Sequence, residues 1–163
     1  STHFAAMALG AAFAILGAIQ LVGVATGGRD ALAPLAHLGV GSQQHGLTFA
    51  RIRTVGQLDA ALANTNGKTV MLDFYADWCV SCIEMEKLTF IDERVQAKLG
   101  NTLLLQVDVT ANDEADKAML KRFTLFGPPA IILFDNKGQE IADSRVIGYQ
   151  DPAKFLTSLG RLN

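Results

Sequence analysis

Two cysteines stand three positions apart in the stretch Asp73-Phe74-Tyr75-Ala76-Asp77-Trp78-Cys79-Val80-Ser81-Cys82. Opening a helix directly after an apolar strand, such a pair can make and break a disulfide without moving the backbone. At 3.6 residues per turn, positions i and i+3 lie one above the other on a helix face. Their α-carbons then fall within the roughly 4.4–6.8 Å that a disulfide spans. At a first helical turn Cys79 would face unpaired backbone N–H groups and the positive end of the helix dipole, which favour thiolate over thiol. Cys79 is therefore the expected attacking sulfur and Cys82 the resolving one. The dipeptide between them, Val80-Ser81, has no cation to stabilise the thiolate further, which favours an electron donor over a strong oxidant.

Two acids accompany the pair. Asp73 lies on a strand otherwise built from Val70, Met71, Leu72, Phe74 and Tyr75. A carboxyl among such neighbours is desolvated, its pKa rises, and it suits proton exchange with Cys82; the bland alternative is a strand-end carboxylate facing water. Glu86 follows Cys82 by four positions and Cys79 by seven, so on a regular helix all three share a face. Its charge would oppose thiolate formation and keep Cys79 quiet between partners, against the alternative of an ordinary solvated glutamate. Trp78, Tyr75 and Phe74 either rim the disulfide for a docking partner or, as for Phe74, simply pack in the core.

Other chemistries have less support. All three histidines, His3, His37 and His45, precede the cysteine segment, and there is no third cysteine. Tetrahedral zinc needs four ligands, and Met85 is the nearest soft one for Cu(I), so metal handling is a poor fit. A formal net charge of −2 gives no sign of a nucleic-acid surface. Neither a glycine-rich phosphate loop nor a nucleotide fingerprint is present, and no cofactor is expected.

The elements that must position the pair follow from the apolar patterning. Phe4 to Ala25 is almost unbroken apolar sequence with Gln20 as its one strongly polar side chain. As a helix it would run about 33 Å, enough to cross a hydrocarbon core of about 30 Å. It reads as a transmembrane helix; a signal peptide is the rival, but the run exceeds the usual h-region and has no basic flank, and a fully buried soluble helix is the bland alternative. Its many Ala and Gly residues suit packing against further helices, and the abrupt start at Ser1 suggests the C-terminal piece of a longer membrane protein. Residues 26–46, mixing Gly, Ala, Pro, Ser and Gln, read as a flexible linker with a short interfacial turn near Leu32 to Leu38.

Residues 47–163 read as one α/β domain. Strands are expected at Leu47–Ile52, Thr69–Tyr75, Thr102–Val107, Ala130–Phe134 and Arg145–Ile147. Helices are expected at Val55–Ala63 behind a Thr54 cap, Cys79–Phe90, Glu93–Leu99, Glu114–Phe123 and from Asp151 or Pro152 to Leu159. Strands alternating with helices and ending in a hairpin make a mixed sheet covered by helices on both faces.

With the order of elements, the VMLDFYADWCVSC segment and the Gly127-Pro128-Pro129 turn before a strand, the chain resembles the thioredoxin superfamily. Within it, LDFYADWCVSC, the following EMEKLTF and the stretch DVTANDEADKAMLKRF resemble the C-terminal domain of the DsbD family, membrane thiol:disulfide interchange proteins of Gram-negative bacteria. The resemblance implies a thioredoxin-like fold after the last membrane helix, with Cys79 and Cys82 as redox pair, Asp73 and Glu86 as active-site acids and Pro129 as a cis-proline facing the disulfide. It also implies a protein-disulfide reductase of the bacterial inner membrane whose thioredoxin-like domain lies in the periplasm. Its partners would be the membrane domain and the N-terminal periplasmic domain of the same full-length protein, and periplasmic disulfide proteins downstream. A membrane-tethered oxidase or isomerase is the nearest rival, separated by reduction potential.

Overall fold

The computed structural model describes residues 2–25 and 46–162, which fall into two compact units. The linker expected over residues 26–46 lies, Gly46 aside, outside the described residues.

The first unit is helix α1, Thr2–Ala25, two residues longer at its start than the apolar run predicts. Its span Thr2–Val22 is long and apolar enough to cross a membrane by length and composition.

The second unit is an α/β sandwich around a five-stranded sheet ordered β1-β3-β2-β4-β5. Strands β1 (Ala50–Ile52), β3 (Thr102–Asp108) and β2 (Thr69–Tyr75) run parallel; β4 (Ala130–Phe134) and β5 (Val146–Ile147) are antiparallel additions. The mixed sheet is as expected. Side chains alternate across it, so each central strand feeds two cores. Val70, Leu72 and Phe74 join Leu105, Val107, Ile132 and Phe134 beneath α2 (Val55–Ala63) and α5 (Glu114–Arg122). Met71, Ile131 and Leu133 face the other way, onto Met85, Phe90, Val95, Phe155 and Leu159 of the segments that follow the cysteines and of the C-terminal helix.

Local chemistry explains most boundaries. Thr54 accepts from the Gln57 N–H at 3.2 Å while Gln57 Oε1 accepts from the Thr54 N–H at 3.1 Å, a capping box that starts α2. Asp151 caps α6 (Pro152–Leu159), with Pro152 at the first turn where a missing N–H costs nothing. Gly138 turns the chain after β4 with φ +76°, and a Cβ there would lie 2.2 Å from the Leu62 carbonyl oxygen, so only glycine fits against the end of α2.

Two expectations are corrected. Pairing of β1 begins only at Ala50, opposite Leu105; Leu47 and Phe49 instead pack on the second core as unpaired chain. The cysteine helix does not run unbroken from Cys79 to Phe90: α3 spans Val80–Glu84 and widens into a π turn, Met85–Thr89, before α4 (Glu93–Lys98). Both ends of that turn are anchored to Gln150, whose N–H lies 3.4 Å from Met85 Sδ and whose carbonyl accepts from Thr89 Oγ1 at 2.6 Å. Two part-buried hydrogen bonds to a neighbouring segment hold the widened turn in place, a feature that helical periodicity alone does not encode.

Candidate active site

The apolar strand β2 delivers Cys79 to the sheet's C-terminal end, where it becomes the N-cap of α3 and not its first helical residue. In that position Cys79 Sγ accepts the N–H of Cys82 at 3.2 Å, taking one of the donors a helix start leaves open. The two cysteines form a disulfide with α-carbons 5.3 Å apart. Cys82 Sγ sits 3.7 Å from the carbonyl oxygen of Phe74, the residue after Asp73. The pair is recessed: Cys79 and Cys82 are 5% and 4% exposed, whereas Trp78 and Val80 beside Cys79 are 60% and 69% exposed.

Pro129 enters β4 through a cis Pro128–Pro129 bond. Its neighbour Ala130 pairs with Phe74, which brings the proline to the sheet end that carries the cysteines. The carbonyl of Pro129 accepts from the Gly148 N–H at 3.3 Å.

Asp73 lies in the middle of the sheet, buried, with Gln106 directly opposite it in the β2–β3 register. Gln106 Nε2 donates to Asp73 Oδ2 at 2.7 Å. Burial pushes the Asp73 carboxyl up to about 7; the Gln106 amide offsets part of that, the negative charge of Glu86 adds to it, and the Arg51 guanidinium opposes it. Glu86, at the start of the π turn, is itself raised by burial, with the Gln106 amide and Arg51 pulling it down. Gln106 thus serves both carboxylates. Sequence reasoning passed over it, although an amide inside the apolar run Leu103-Leu104-Leu105-Gln106-Val107 carries a signal: a buried polar side chain needs a partner.

The arrangement combines a reversible two-electron couple with a carboxyl that exchanges its proton near neutrality. Among the described residues no group of three or more His, Cys, Asp or Glu side chains is placed to hold a metal ion.

A thioredoxin-like domain family profile matches residues 56–163. This chain belongs to the thioredoxin-like family. Within that family it is 52% identical over 160 residues to the thiol:disulfide interchange protein DsbD of Ralstonia nicotianae, covering 94% of this chain and 26% of that protein. DsbD of Cronobacter sakazakii is 54% identical over 127 residues, covering 78% of this chain and 21% of its own length. The crystal structure of the Neisseria meningitidis DsbD C-terminal domain in the oxidised form superposes with a TM-score of 0.59 at 32% identity, over 70% of this chain and all (100%) of that one. The thioredoxin-like domain matches the DsbD C-terminal domain, as the resemblance implied. Oxidised mitochondrial thioredoxin 3 of Saccharomyces cerevisiae, at 18% identity and a TM-score of 0.56, shares the fold. The chain spans about a quarter of the length of the DsbD proteins it matches, 26% and 21%.

Proposed function

We propose that this chain is the C-terminal part of a membrane protein-disulfide reductase, in which the Cys79–Cys82 couple relays electrons from a membrane-embedded cysteine pair to periplasmic protein disulfides. The observation that carries this reading is the Cys79–Cys82 disulfide at the N-cap of α3, with Asp73 raised to about 7 on the strand that leads into it. In the layout that goes with it, residues 1–25 span the inner membrane, 26–46 tether, and 47–163 work in the periplasm. The N-terminal periplasmic domain of the full-length protein receives the electrons and passes them on.

In the reduced state the Cys79 thiolate attacks one sulfur of a partner disulfide, forming a mixed disulfide and releasing the other partner sulfur as a thiolate. Cys82 gives its proton to the Asp73 carboxylate and its sulfur attacks Cys79, closing the Cys79–Cys82 bond and expelling the partner's second thiolate. Two electrons leave the Cys79–Cys82 pair, and the partner's two thiolates take up protons, one returned by Asp73 and one from water. Glu86 and Gln106 set how readily Asp73 holds that proton. Trp78 and Pro129 flank the approach.

The test is the equilibrium of the couple against a dithiothreitol or glutathione series, together with Cys82→Ser. A potential well below about −180 mV and a trapped mixed disulfide through Cys79 are expected; a potential near about −120 mV would reverse the direction of flow and make the domain an oxidant.

A further inference from the structure

The stretch Asp108-Val109-Thr110 carries the chain out of the end of β3, and neither the redox pair nor its acids account for it. Contacts converge on Thr110. Its hydroxyl oxygen accepts the Asp77 N–H at 2.9 Å, and the same hydroxyl donates to Asp108 Oδ1. Its own N–H donates to that Asp108 oxygen at 2.9 Å, while its carbonyl accepts Trp78 Nε1 at 3.3 Å. Asp108 is in turn held from the other side, its Oδ2 accepting from Arg51 at 2.9 Å. Asp77 Oδ1 also accepts the Tyr75 hydroxyl at 3.1 Å, and the Val109 N–H donates to the Tyr75 carbonyl at 2.8 Å. The two residues before Cys79 are therefore tied, one through its backbone and one through its indole, to a single side chain and carbonyl on another strand's exit loop.

The tie has a directional consequence. Trp78 has one polar atom, and Thr110 occupies it, so what the exposed indole still offers is apolar ring surface beside the recessed Cys79. An aromatic ring without rotamer freedom binds at lower entropic cost than a loose one.

We propose that Thr110 is a positioning residue for disulfide exchange with polypeptides: it holds Asp77 and Trp78 so that the Trp78 ring stands fixed as a docking plate next to the Cys79 sulfur. This rests on the thiol–disulfide reading above. A small disulfide does not cover the plate and gains nothing from it, whereas a polypeptide disulfide does.

The experiment compares Thr110→Val, which keeps the shape and loses the hydroxyl, with Thr110→Ser, which keeps the hydroxyl, in the whole chain in detergent micelles. Trp78 is the chain's only tryptophan, so fluorescence anisotropy reads its motion directly. Thr110→Val keeps the carbonyl that accepts Trp78 Nε1 but loses the hydroxyl that fixes that loop to Asp77 and Asp108. The ring should then depolarise faster, and KM for insulin disulfides, with dithiothreitol as reductant, should rise roughly fivefold, the size of one lost hydrogen bond. The variant's reaction with glutathione disulfide should stay within roughly twofold, and Thr110→Ser should resemble the parent in all three measurements. The proposal is overturned if Thr110→Val matches the parent in anisotropy and KM, if both variants shift alike, or if both disulfides are slowed equally. A parent chain that leaves insulin oxidised refutes the proposed function instead, and the anisotropy comparison still decides whether the Thr110 hydroxyl steadies Trp78.

Discussion

Gln106 Nε2 lies 2.7 Å from Asp73 Oδ2 across the parallel pairing of β2 and β3, and both residues are buried. The amide can donate but its nitrogen cannot accept, so this contact favours the ionised carboxylate and opposes what burial does. Gln106→Leu removes the donor and leaves burial in charge. The Asp73 carboxyl, at about 7 with the amide in place, should then titrate higher. A hydrogen bond to a charged group is worth about 1.5–3 kcal/mol, which corresponds to roughly one to two pH units. Carboxyl NMR titration measures it, and an unmoved Asp73 would refute the assignment.

Glu86→Gln should move the same carboxyl the opposite way. The charge on Glu86 adds to the rise of Asp73, so removing it lets Asp73 ionise at lower pH. If Glu86 also acts on Cys79, as the expected shared face has it, the thiol of the reduced protein should react faster at a given pH once that charge is gone. Alkylation rate against pH reads the thiol; a Cys79 profile that coincides with the parent's would remove Glu86 from the site.

Asp73 also makes stability depend on pH. Its ordinary value of 3.8 is raised to about 7 in the fold, so the folded chain binds that proton more tightly than the unfolded one. The associated stability is fully present below the unfolded value and is lost as pH climbs to the folded one, at about 1.4 kcal/mol per unit. Asp73→Asn abolishes that loss and should be more stable than the parent at pH 8, by up to about 4 kcal/mol, with little difference near pH 4. Urea midpoints at the two pH values provide the measurement; equal gains at both would point to packing and not to ionisation.

Away from the site, Phe90 is fully buried between Phe49 and Phe155, with ring centroids 5.6 Å and 5.8 Å away. It closes the π turn by donating its N–H to the Met85 carbonyl at 2.8 Å. Phe90→Ala should cost about 3–5 kcal/mol in chemical denaturation by opening a cavity in the second core. A cost below about 1 kcal/mol would mean that the core there collapses onto the gap.

Much of this was legible beforehand, because its causes are local. The Thr54 and Asp151 caps, the apolar run of β2 and the Cys79–Cys82 spacing each act within a few residues. What sequence reasoning missed is non-local. Gln106 meets Asp73 across 33 positions, through a strand register that no pattern in either strand announces. The π turn depends on Gln150, 65 positions beyond Met85, and the shortness of β1 depends on where Leu105 lies opposite Ala50. Thr110 stood in a stretch noted for its resemblance alone, and its grip on Asp77 and Trp78 follows only once β2 and β3 end side by side.

The place of β2 between β3 and β4 bears on how a proton reaches the acid on it. A strand hydrogen-bonded on both sides belongs to the part of a fold whose amides exchange with deuterium only on global unfolding. Asp73 sits on that strand, so in the proposed relay its carboxyl would take up and release a proton while the backbone around it stays closed. On that reading the proton moves without opening the strand, and deuterium uptake at β2 should stay as slow in a domain that is turning over as in one at rest.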